Sequence, residues 1–224
     1  MSEALKVIGR SFRDWWDEMF LMVGVNLVWG LLALALVTLF PGSMGAYYLT
    51  RQKALGHRVE FDMFWAGLRQ YFGKAWALGA INVVVTFLLL FNIWFYSNIT
   101  NWLAYLTLLW IYALVMWLGV IIYVFPMALA QESGGIRTTY RNAAVLAFGR
   151  PLFTLVIGII SLLLLALSLV VPPLLLLVYI PLAALVGNHA TISSLDHMQR
   201  RILEREARDR DAGKREDAER ERRG

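Results

Sequence analysis

The placement of charge constrains this chain more than any other feature. No Asp, Glu, Lys or Arg occurs in the 32 residues between Glu18 and Arg51, the 57 between Lys74 and Glu132, or the 45 between Arg150 and Asp196. A soluble domain of 224 residues has to place charge on the outer face of nearly every helix. Here the charges are swept into short segments between apolar blocks. A charge at the bilayer centre costs about 2.5–3.5 kcal/mol on insertion scales, so a lipid solvent selects this sorting. A span needs roughly 20 apolar residues. The long block then holds two spans and a loop, the third a tight pair, and the first one span with residues to spare.

The expected fold is an all-α, polytopic transmembrane helical bundle. Five spans are expected, at about 20–40, 75–96, 103–130, 151–171 and 174–195, closing a membrane domain over 1–195. Residues 196–224 carry ten basic and nine acidic side chains and are read as a charged cytoplasmic tail that begins helical and becomes partly disordered. That balance gives no net positive field, so nucleic acid is not an expected partner despite the net charge of +5. The absence of cysteine excludes a disulfide framework and Cys-based metal or nucleophile sites.

Three stretches ahead of the blocks are amphipathic: about 4–18, 61–73 and 138–149. In the first, Ile8, Phe12, Trp15, Trp16, Met19 and Phe20 share one side, opposite Lys6, Arg10, Arg13, Asp14 and Asp17. Such a helix can lie in the membrane interface and then turn into a span. Its acids, and the long block behind it, exclude a signal peptide. Phe72-Gly73-Lys74 and Phe148-Gly149-Arg150 form the same elbow at two borders, and Arg13/Asn26 and Arg69/Asn82 share a spacing, which together make a weak internal repeat.

Loops 51–74 and 131–150 hold five and three basic residues and the hairpin tips none, so positive-inside counting makes both loops and the tail cytoplasmic. The first block allows two arrangements. One span over 20–40 puts the N-terminus outside. A turn at Pro41-Gly42 with a half-length return over about 41–50 brings all three interfacial helices to the cytoplasmic face, and this re-entrant form is preferred.

No Walker loop, HExxH, nucleophile elbow or Rossmann glycine pattern is present, so no catalytic, cofactor or metal site is expected. His189 and His197, eight apart, are read as packing residues. Asn26 and Asn82 are the candidate intramembrane polar contacts, because an amide in lipid seeks a partner on a neighbouring helix. Pro41, Pro126 and Pro181 are candidate kinks or hinges. The blocks hold no acid or base of the kind that coupled carriers place in their pathway.

"NLVW" at 26–29, "FPGSMGAYYLTRQKALG" at 40–56, "FDMFWAGLRQYFGKA" at 61–75 and "YVFPMALA" at 123–130 resemble the YesL-like family of bacterial integral membrane proteins over roughly 5–195. The Gly-Pro that its members usually carry after the first span is Pro41-Gly42 here. The resemblance implies the bacterial cytoplasmic membrane and, through the family's gene company, an accessory role in carbohydrate uptake beside an ABC transporter permease. It implies no enzymatic activity. The expected function is therefore a non-enzymatic accessory or assembly factor. The alternative is a small facilitator or binding protein for a neutral solute such as a sugar. A homo-oligomer fits either.

Overall fold

The computed structural model describes residues 2–131 and 134–223, and every regular element among them is helical. The helices are α1 (Ser2–Asp17), α2 (Met19–Leu34), α3 (Leu39–Ala54), α4 (Asp62–Gln70), α5 (Phe72–Ser97), α6 (Leu106–Ala130), α7 (Ile136–Gly149), α8 (Pro151–Val170), α9 (Pro172–Leu177) and α10 (Tyr179–Arg223). A single 3-10 turn, Trp102–Tyr105, precedes α6. The chain divides into two compact units, Met1–Thr191 and Ile192–Gly224. The second is the charged part of α10, where Arg210 and Glu206 pair at 3.8 Å across one helical turn.

Among the described residues, three helical stretches are long and apolar enough to cross a membrane: Phe72–Ser97, Trp102–Ala130 and Pro151–Val170. A fourth span results only if α1 and α2, bent by 91° at their junction, count as one broken segment. Five spans are thus not realised as uninterrupted apolar helices. Within 20–40 the helix stops at Leu34, and the 16 residues of α2 cover about 24 Å, less than the roughly 30 Å hydrocarbon core. Within 174–195 the helix breaks at Val178, and Asn188, His189, Thr191, Ser193 and Ser194 make the start of α10 too polar to count.

The first block does fold back on itself. Its turn lies at residues 35–38 instead of at Pro41-Gly42, and the return is all of α3 instead of about ten residues. Glu18 Oε1 meets Lys53 Nζ at 3.2 Å, and Trp29 Nε1 donates to Ser43 Oγ at 3.0 Å, so α2 and α3 are antiparallel with their outer ends together. Pro41 and Gly42 sit in the first turn of α3, where the missing proline N–H costs nothing because first-turn donors have no intrahelical acceptor. Leu36, at φ 53°, makes the reversal, and the Thr38 hydroxyl joins the Ala35 N–H in donating to the Leu32 carbonyl at the helix end.

α4 lies along α3, and with α1 and α2 these helices enclose the main core, formed by Trp15, Met22, Val25, Ala46, Leu49, Phe64 and Leu68 together with Leu185 of α10. Two close approaches need glycine: a Cβ at Gly45 would stand 2.6 Å from the Phe64 carbonyl, and one at Gly67 2.5 Å from Tyr48 Cβ. α1 turns Ala4, Val7, Ser11 and Trp15 inward and leaves Phe12 and Trp16 exposed, as is Phe20 at the start of α2, so the aromatic row that begins in the stretch expected at 4–18 is divided between core and surface. In α7 the inward row is Thr139, Ala143, Leu146 and Ala147. The Glu3 carboxylate and the Arg150 guanidinium pair at the mouth of α8.

α5 and α6 form an antiparallel hairpin. Lys74 Nζ donates to the Ala128 carbonyl (2.9 Å) near its base, Trp117 Nε1 donates to Thr86 Oγ1 (3.1 Å) midway, and the Tyr96 and Trp110 rings stack at 6.3 Å near its tip. Burial is confined to the base: Gly79 is the last buried residue of α5 and Val120 the first of α6, with none buried between.

Candidate functional site: interhelical polar contacts and a lateral groove

Both candidate asparagines bridge helices. Asn26 of α2 is fully buried, and its Oδ1 accepts from the Ile180 backbone N–H at 3.0 Å. Ile180 is the second residue of α10, one of the first-turn donors that the helix itself cannot satisfy. The break at Val178 frees those donors inside an apolar protein, and Asn26 supplies an acceptor from a neighbouring helix. Pro181 follows in the same turn, where it has no donor to lose. Pro126, by contrast, lies inside α6.

Asn82 of α5 accepts at Oδ1 from the Tyr140 hydroxyl of α7 at 2.7 Å, and the same hydroxyl lies 3.1 Å from the Leu78 carbonyl. The Tyr140 ring stacks on Trp117 of α6, with centroids 5.7 Å apart and planes 14° apart. Trp117 in turn donates to Thr86, one helical turn beyond Asn82. One aromatic pair therefore occupies the acceptor oxygens of both α5 residues. Burial disfavours the phenolate of Tyr140 and pushes its pKa up to about 12, so it remains a neutral hydroxyl.

Asn82 and Thr86 line a groove of about 510 Å³ between α3 and α5, floored by Phe125 of α6. Phe40 and Phe87 stand on its two sides, and no lining residue is charged. Gly79 admits Phe40: a Cβ there would lie 2.2 Å from Phe40 Cγ.

Other polar contacts tie the remaining helices together. Asn188 Nδ2 of α10 donates to the Tyr47 carbonyl and to Thr50 Oγ1, both at 3.0 Å. Tyr123 of α6 and Thr154 of α8 share a hydrogen bond of 3.0 Å, and Thr154 also donates to the Ala147 carbonyl. His189 Nε2 lies 2.8 Å from Asp14 Oδ2, joining α10 to α1 in a nearly buried pair. The sequence marks Asp14 only as a polar-face residue of the first helix, and no local signal links it to a histidine 175 positions away. Among the described residues no group of His, Asp and Glu is arranged to hold a metal ion.

Residues 22–93, from α2 to near the end of α5, match a family described as a protein of unknown function, DUF624. No curated protein and no solved structure matches the chain. The similarity therefore covers the α2–α3 hairpin, α4 and the α5 wall of the groove. It supplies neither an activity nor the YesL-like designation. The apolar helices of the chain mark it as a multi-pass membrane protein.

Proposed function

We propose that this protein is a non-enzymatic accessory or assembly subunit of the bacterial cytoplasmic membrane that docks on a larger membrane protein through the α5–α6 hairpin. The observation that carries this reading is the absence of any buried residue from 80 to 119 in the described structure. A hairpin used only to fill its own bundle would bury one face along its length. This one holds a helical ladder of rings, Phe87, Phe91 and Phe95, with successive centroids 6.3 Å apart, against no other part of the chain's core. Large aromatic side chains bury much area at small entropic cost and are enriched at interfaces.

The resemblance to YesL-like proteins supports a sugar-import ABC permease as the partner, with loops 51–74 and 131–150 and the tail on the cytoplasmic side. The test is to isolate the protein from its host membrane in mild detergent by a tag on the tail, beside a Phe91→Ala/Trp94→Ala variant. A permease recovered in fixed ratio with the wild type and lost with the variant supports the reading. Recovery of both forms alone, with normal sugar uptake in a deletion strain, contradicts it.

A further inference from the structure

The α3–α5 groove combines an apolar lining with a small and unusual polar content. Its hydroxyl and amide groups come from Ser43, Asn82 and Thr86. Ser43 is already committed, since it accepts from Trp29 and donates to the Leu39 carbonyl. Asn82 and Thr86 have their oxygens occupied from behind by Tyr140 and Trp117. Their donors are not used: no acceptor among the described residues meets Asn82 Nδ2 or the Thr86 hydroxyl hydrogen. The two residues are one turn apart on the same face of α5 and both line the groove, which leaves two hydrogen-bond donors available beside its phenylalanines.

The groove's rim says which solvent it faces. Val83, Phe87 and Leu90 are 56 %, 64 % and 51 % exposed, on a helix long and apolar enough to span a membrane. Asn82 lies ten residues into α5, about 15 Å along the helix from its start. A donor at that depth in hydrocarbon gains much from an acceptor, because no water competes for it. An ionic ligand would lose its hydration without meeting a counter-charge. A sugar would bring many hydroxyls to a site offering two donors and otherwise apolar walls.

We infer that the groove binds an uncharged, lipid-soluble molecule through carbonyl oxygens, which accept from Asn82 Nδ2 and the Thr86 hydroxyl while its apolar body lies between Phe40, Phe87 and Phe125. Ring carbonyls of a quinone and ester carbonyls of a neutral glyceride share this chemistry. The groove shares Phe87 with the ring ladder of the hairpin, but binding of a small molecule reads out without a protein partner.

The test uses the full-length protein in phosphatidylcholine nanodiscs, exposed separately to a decyl-tailed benzoquinone, to dioleoylglycerol and to hexadecane, with bound molecules counted by native mass spectrometry. The expected result is one molecule per chain of the quinone or of the glyceride, which assigns the carbonyl source. Retention is expected to fall several-fold in Thr86→Val and to vanish in Val83→Trp, where an indole fills the groove from its exposed rim. Leu90→Trp serves the same purpose from another rim position should Val83→Trp fail to fold. Retention of hexadecane equal to that of the oxygenated probes overturns the role of the donors. Retention of neither oxygenated probe, or equal retention by the rim variants, overturns the site.

Discussion

At the scale of single residues, the stability of this protein rests on a few buried polar atoms whose partners lie far away in sequence. Asn26 is the sharpest case, because the N–H it satisfies belongs to the first turn of a helix, which supplies no acceptor of its own. Asn26→Leu keeps the volume and removes the acceptor. A buried donor left unpaired costs about 1–3 kcal/mol, and interhelical hydrogen bonds in membranes measure about 0.6–1.7, so a loss of about 1–2 kcal/mol is expected. Unfolding in detergent mixtures of rising sodium dodecyl sulfate content measures it, and wild-type stability would show that the Ile180 N–H finds another partner.

Tyr140 gives a prediction in pH. Its phenol, near 10 when free, is pushed up to about 12 in the folded protein by burial. A raised folded pKa means that folding favours the protonated phenol. The stabilisation is complete below the unfolded value and is lost as pH rises through the interval from about 10 to about 12. The gap in melting temperature between wild type and Tyr140→Phe is therefore expected to narrow over that interval. A constant gap would mean that Tyr140 titrates as a free phenol does.

At the scale of elements, the first block reverses at 35–38 and not at Pro41-Gly42, where proline suggests a turn. The charge-free blocks and their borders are legible in the sequence because charge exclusion is a local property of each segment. The reversal at 35–38 is not, since Ala35, Leu36, Val37 and Thr38 contain neither glycine nor proline and Leu36 adopts φ 53° under tertiary constraint. Pro41 and Pro181 read as kinks in sequence yet lie in first turns, a distinction that depends on where the preceding helix stopped. Asn26 and Asn82 are legible as intramembrane polar residues. Their partners, Ile180 and Tyr140, are not, because long-range pairing leaves no spacing signal.

The packing of α3 on α5 depends on Gly79. Gly79→Ala sets a Cβ against the Phe40 ring and is expected to cost about 1–3 kcal/mol, the usual range for overpacking. Adding Phe40→Ala removes the clash, so the double variant should be less destabilised than the sum of the two single changes. Strict additivity in thermal unfolding would separate the two residues energetically.

At the scale of the whole molecule, one end is tied together and the other is open. The Glu18–Lys53 ion pair ties the α1–α2 junction to α3, the Glu3–Arg150 ion pair ties α1 to α8 and the Asp14–His189 contact ties α1 to α10, while no residue of the outer part of the α5–α6 hairpin is buried. The α2–α3 return places the exposed residues Gly9 and Arg58 at the tied end, and Asn101 at the hairpin tip. In this chain without native cysteine, Gly9→Cys and Arg58→Cys should react with an impermeant maleimide from one side of the membrane and Asn101→Cys from the other. Labelling of Gly9→Cys and Arg58→Cys from opposite sides would break the hairpin arrangement.

Docking of a protein on the open hairpin is what most needs testing in the native membrane. The most direct measurement places a photo-crosslinking benzoylphenylalanine at position 91, within the ring ladder, and at the exposed position 5 of α1 as a comparison, in the native host membrane. A protein adduct of one constant mass is expected from position 91, absent from position 5 and identified as a membrane permease. Adducts with lipid alone at position 91, or the same mixture of protein adducts at both positions, would contradict it.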